Sequence, residues 1–198
     1  MSPDELQQLY GRVDKEAARL HALHGERLTC RRGCASCCID DITVVAIEAE
    51  SIRAHHAQLL QHGIPHEPGM CAFLDEEGAC RIYQHRPYVC RSQGLPLRWT
   101  DQDATGRTVE LRDICALNEA GPPIERLPAE SCWSIGWAEG ALAQLQSRVD
   151  GRDDLAFDDE DEDEGDEDDT VAGVEQTGNR RVALRSLFAL PSKPQGRT

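Results

Sequence analysis

The sequence predicts a small α+β domain, mostly helical, with short β-hairpins gathered around a cysteine-rich site. Three observations carry this expectation. Apolar residues recur at three- and four-residue spacing near the start of the chain and again over 130–149. Two pairs of short apolar runs each face one another across turn-forming residues, within 71–83 and within 95–112. Nine cysteines occur in 198 residues, and four of them fall within nine: Cys30-Arg-Arg-Gly-Cys34-Ala-Ser-Cys37-Cys38.

Ser2-Pro3-Asp4-Glu5 marks a helix start, with serine as N-cap, proline at the first helical position and acids at the positive dipole end. Leu6, Leu9, Val13, Ala17, Leu20 and Leu23 then form one apolar stripe that reads as core, and Gly25 ends the helix. The cysteine loop, 30–38, follows. A second helix is predicted from Thr43, as N-cap, to Gly63, with Ile47, Ile52, Ala54 and Leu59 or Leu60 on its buried side. Pro65, Pro68 and Gly69 make 64–70 a connection. Cys71–Tyr83 predicts a hairpin about Asp75-Glu-Glu-Gly78, with Cys71 and Cys80 near its open ends and Phe73 and Tyr83 in the core. A second hairpin runs from Leu95–Thr100 to Thr108–Arg112 across an Asp101–Gly106 turn. Residues 130–149 predict a third helix, opening near Glu130-Ser131 and carrying Ile135, Leu142, Leu145 and Val149. Cys132 would lie inside it as a small buried hydrophobe. A last helical pattern spans Asn179–Leu190 and stops before Pro191.

The net charge of −15 is local in origin, because thirteen acidic residues and no basic one lie between Asp153 and Asp169. Without them the chain has 23 acidic residues against 21 basic ones, a net of −2. Such a tract cannot bury enough apolar surface to offset its ordering entropy, so it is expected to be disordered. The predicted organisation is therefore a cysteine-cluster domain over 1–149, an acidic linker over 150–178, and a C-terminal helix and tail over 179–198. The near-neutral remainder argues against a nucleic-acid partner, and no apolar run is long enough to span a membrane. A basic protein is the partner type that the acidic tract could take. The first residues lack a basic n-region and an apolar h-region, so a cytoplasmic location is expected.

A thiolate is a soft anionic ligand suited to zinc, copper(I) and iron–sulfur clusters. A chain without a visible secretory signal and with an odd number of cysteines fits metal binding better than a disulfide framework. The candidate metal ligands are Cys30, Cys34, Cys37, Cys38, Cys71, Cys80, Cys90 and Cys115; no partner motif surrounds the last. Cys34-x2-Cys37 is a chelating spacing, with Gly33 easing the backbone before it. Adjacent Cys37 and Cys38 should diverge, and so serve two metals of a cluster or two neighbouring sites. Eight thiolates fit two four-thiolate ions, one larger cluster, or one four-cysteine cluster with spare thiols. Iron–sulfur is favoured over zinc, although ligand type permits both. The sulfurs are expected to converge, roughly 3–4 Å apart across sites with ~2.3 Å metal–sulfur bonds.

Arg86 and Arg91 flank Cys90 and are candidate donors to thiolate or cluster sulfur, with a surface salt bridge as the plainer role. Asp40 and Asp41 could add oxygen ligation but are expected to cap the second helix, and His55, His56, His62 and His66 to be surface residues. There is no Walker-type loop, Rossmann glycine fingerprint, Gly-x-Ser-x-Gly elbow or His-Glu-x-x-His.

Four elements, Cys30-x3-Cys34-x2-Cys37-Cys38, Cys71-x-Phe-Leu, Cys80-Arg-Ile-Tyr83 and Arg86-Pro87-x-x-Cys90-Arg91, resemble the YkgJ-type cysteine-cluster family in order and spacing. The resemblance covers residues 30–91 and implies a zinc- or iron-chelating domain. The cysteine motif is also similar to that of bacterial flagellin lysine methylases, which implies that such a site can accompany enzymatic activity. The functional expectation is a cysteine-ligated metal-binding protein that holds an iron–sulfur cluster or iron, in a redox or modification-linked role. The alternatives are a non-catalytic zinc-binding scaffold and a metal chelator or carrier. No substrate or catalytic residue is legible.

Overall fold

The computed structural model describes residues 3–151 and 181–188. Among the described residues four α-helices and five short strands make an α+β fold, as the sequence predicts. Helix α1 (Pro3–Leu23) buries Leu6, Leu9, Tyr10, Val13, Ala17 and Leu20, while Leu23, at the end of the predicted stripe, is exposed. Helix α4 (Ile135–Val149) packs on it through Ala138, Leu142 and Leu145. These two helices, with Val45, Ile47, Tyr88, Leu95 and Trp133, enclose the first apolar core.

Thr43 does not cap a helix. It opens strand β1 (Thr43–Val45), and helix α2 (Ala46–His62) begins only after it. Its capping comes from two buried side chains. Glu48, in its first turn, accepts a hydrogen bond from the Val45 amide, and the Gln146 carbonyl oxygen accepts from Ile47 N at 2.9 Å. The helix kinks at His56, where φ is −129° and ψ is 29°. Ala49, Ile52 and Leu60 of α2 meet Ala72, Phe73, Leu74 and Ile82 in the second core.

Residues 71–83 are turns rather than a full hairpin, with a single bridge pairing Leu74 and Cys80. The Asp75 carboxylate accepts from Glu77 N and Ala79 N at 2.9 and 2.8 Å, which tightens the turn. Phe73 is fully buried, but Tyr83 is 57% exposed and is not core. The short helix α3 (Tyr88–Arg91) follows.

Strands β2 (Leu97–Gln102) and β3 (Thr108–Asp113) form the second predicted hairpin, in antiparallel register from Leu97↔Asp113 to Gln102↔Thr108. Strand β4 (Trp133–Ser134) adds parallel to β2, giving the order β3-β2-β4. Cys132 therefore precedes a strand rather than lying within a helix, although it is buried as expected. The predicted C-terminal helix is replaced, over the described residues, by strand β5 (Arg181–Ala183) and a 3-10 turn at Leu184–Leu187. Strand β5 pairs antiparallel with β1, Thr43 opposite Ala183 and Val45 opposite Arg181. The acidic tract Asp153–Asp169 lies outside the described residues.

Candidate metal centre

Cys30, Cys34, Cys37 and Cys38 from the first loop, Cys71 and Cys80 from the turns, and Cys90 from α3 all line one cavity of about 640 Å³. Phe73, Leu74, Ile82 and Leu184 add apolar wall, and Arg31, Arg32, Arg86 and His21 also line it. The sulfurs line this cavity without closing on one point. Among the described residues no three Cys, His, Asp or Glu side chains form a metal-holding group. The expected convergence to tetrahedral spacing is thus absent from the structure.

Backbone hydrogen bonds explain how the loop is shaped. Cys34 N donates to Arg31 O and Cys38 N to Ala35 O, both at 2.9 Å, so two consecutive turns present Cys34, Cys37 and Cys38, with Cys30 just before the first. The Cys71 amide donates to the Cys38 carbonyl at 2.9 Å and ties the loop to the following turns. Gly33 and Gly78 have φ of 85° and 75°, a conformation that favours glycine. A Cβ on Gly78 would stand 3.3 Å from the Gly33 carbonyl oxygen, so the two turns dock backbone to backbone.

Asn118 fixes the first cysteine. It is fully buried; its Nδ2 donates to Cys30 Sγ at 3.3 Å and to Gly94 O at 2.8 Å, while its Oδ1 accepts from Thr29 N at 2.8 Å. Gly94, at φ 87°, leaves room for this sulfur, since a Cβ there would lie 2.5 Å from Cys30 Sγ. Nothing in the local sequence around Asn118 marks it for this task.

Glu48 holds α3. Its carboxylate accepts from Tyr88 N at 2.7 Å and from the Tyr10 hydroxyl at 2.9 Å. Burial pushes the Glu48 carboxyl up, against the hydrogen bonds from Tyr88, Tyr10 and Val45, which pull it down. Burial and then the Glu48 charge push the Tyr10 hydroxyl up strongly. Both groups stay hydrogen-bonded underneath the segment that carries Cys90.

The thiols are electrostatically unequal. A hydrogen bond from Cys38 brings the Cys37 thiol down to about 6, and giving that bond drives Cys38 up strongly. Burial raises Cys71, Cys80 and Cys90 as well. A metal cation at the cavity would reverse this ordering and release protons as thiolates form.

Arg91 also lines the cavity, but its guanidinium is held by other partners. Its side chain is buried, bonds Asp14 Oδ2 at 2.6 Å and Arg86 O at 3.0 Å, and lies 4.0 Å from the Tyr10 ring centre. Arg86 stays at the cavity, stacked 4.0 Å over Tyr83 and donating to its carbonyl at 2.9 Å. Cys115 lines an adjoining hollow that Cys37 also lines. The Ser36 hydroxyl stands between Cys115 and Cys34, 3.7 Å from Cys115 Sγ and 3.9 Å from Cys34 Sγ. Cys132 lines neither.

Asp40 does not cap α2. It pairs with Arg185 and accepts from Gly69 N at 3.1 Å. Arg185 also donates to the carbonyls of His66, Glu67 and Met70 at 2.7, 3.1 and 2.8 Å. The segment after the acidic tract thus fastens the loop that leads into Cys71, and its Leu184 reaches the cavity wall.

Residues 29–116 match the CxxCxxCC family model, whose description reads "Putative zinc- or iron-chelating domain". No curated protein and no solved structure matches the chain. The matched span holds all eight cysteines from Cys30 to Cys115, and across it the chain is similar to this cysteine-cluster family.

Proposed function

We propose that the protein holds iron, as an iron–sulfur cluster or as iron alone, through thiolates drawn from Cys30, Cys34, Cys37, Cys38, Cys71, Cys80 and Cys90, with Cys115 as a neighbouring thiol. The observation that carries this reading is the shared cavity lined by the first seven. Seven soft donors exceed what a single tetrahedral zinc ion takes, and the space exceeds what one ion fills. The sulfurs reach one centre by side-chain rotation and by tightening of the 30–38 turns, which metal binding drives because ligation adds to folding free energy. Arg86 stands where it can donate to a thiolate or a cluster sulfur. Arg91 serves the same site by holding α3 against α1.

Protein isolated without oxygen tests this directly. Iron content with broad visible absorption is the expected result. Stoichiometric zinc in a colourless protein would instead establish the scaffold reading. Metal that leaves rapidly to a competing chelator would favour a carrier.

A further inference from the structure

We propose a second metal site, separate from the cysteines, in which His56 Nε2 and His85 Nδ1 together bind a first-row divalent cation of the nickel or copper type. The two nitrogens face each other at 3.0 Å. Adjacent residues on a regular helix point about 100° apart, yet the kink at His56 lets both His55 and His56 meet the same ring. His55 stacks on His85 with centroids 4.1 Å apart and an interplanar angle of 18°. Its Nδ1 is 2.8 Å from the Ser51 carbonyl oxygen, which fixes the stacking ring in place.

The present contact is one imidazole N–H shared with one lone pair. Moving that proton to the other nitrogen of the same ring, by exchange with water, leaves two neutral nitrogen donors facing each other. An ion held at about 2.0–2.1 Å from each would subtend roughly 90°, an angle for octahedral or tetragonal coordination rather than tetrahedral. Water completes the shell, since His55 is exposed and His56 and His85 are only partly covered. Burial first, then the neighbouring imidazoles and, for His85, Arg91, lowers the proton affinity of both rings, which favours the form that can ligate. Imidazole selects nickel, copper and zinc, whereas the neighbouring cavity offers thiolate. His55 acts as a positioning residue that holds the His85 ring.

The probe is Ni2+ added to the protein as isolated, with whatever metal its cysteines already hold. Equilibrium dialysis at micromolar free Ni2+ is expected to give one extra bound nickel, and X-ray absorption a nitrogen–oxygen shell without sulfur. His56→Asn and His85→Gln should each weaken uptake at least ~tenfold, with resident metal and helical circular dichroism unchanged. His55→Phe, which keeps a stacking ring, should retain it. No nickel uptake, sulfur in the first shell, or undiminished uptake in both folded variants would overturn the site. Because the readout is nitrogen ligation, the result stands apart from the fate of the cysteine centre.

Discussion

The Cys71 amide and the Cys38 carbonyl share a hydrogen bond at 2.9 Å, which makes the last residue of the cysteine loop and the first cysteine of the following turns direct neighbours. The same pair of segments is docked a second time at Gly33 and Gly78. Two independent backbone ties mean that the loop and the turn should respond as one unit.

Substituting the docked glycine tests that unit. Gly78→Ala meets the Gly33 carbonyl oxygen at 3.3 Å and also strains a φ of 75°. Gly106→Ala strains a similar φ of 78° with no atom nearby. The strain alone costs about 1–2 kcal/mol. Urea unfolding should therefore show a larger loss for Gly78→Ala, and only that variant should lose bound metal. Equal losses with equal metal content would show that the docking is unimportant.

The Cys37–Cys38 hydrogen bond sets the chemistry of the metal-free, reduced protein. Cys37 should be alkylated by iodoacetamide before the other thiols, with a rate that falls as pH drops through about 6. A depressed thiol contributes stability that is fully present above its unfolded pKa and is lost as pH falls through about 6. Cys38, raised, contributes in the opposite sense, and its share is lost as alkali removes its proton. Cys38→Ala should move the Cys37 rate profile up towards the ordinary thiol value of about 8.5. An unmoved profile would mean that another group lowers Cys37.

Cys80→Ser and Cys132→Ser separate cavity thiols from buried ones. Cys80 lines the cavity and Cys132 does not. A hydroxyl is a poor replacement for a thiolate, so Cys80→Ser should lower metal content and thermal stability together. Cys132→Ser should leave the metal and its spectrum unchanged, at a burial cost of about 1–3 kcal/mol for the new hydroxyl. Full metal in Cys80→Ser would remove that residue from the ligand set.

Arg185→Ala removes the pairing with Asp40 and three carbonyl contacts at once. Charge-assisted hydrogen bonds of this kind contribute about 1.5–3 kcal/mol, and the loss should appear in urea unfolding. Faster hydrogen exchange should be confined to the amides of 66–71 and 181–188. Protection that persists there would show that the β1–β5 pairing alone holds the segment.

What the sequence made legible was local. The α1 stripe from Leu6 to Leu20 and the β2–β3 hairpin depend on neighbours close in the chain, and both formed as expected. Thr43 was misassigned because its partner strand lies 138 residues away at Arg181–Ala183, beyond any pattern carried by residues 43–63. Tyr83 looked like core by type, but stacking with Arg86 keeps it at the surface. Seven cysteines were identified as a group from spacing, and they share a cavity. Asn118, Glu48 and Arg185 were invisible because their roles arise from hydrogen bonds across long sequence separations.

Because β5 returns to pair with β1, residues 152–180 connect two folded segments, α4 and β5, in the chain. A cut there would turn the chain into a two-fragment complex in which the smaller piece carries Leu184 and Arg185. Its off-rate would then report how firmly the cavity wall is held, with and without metal.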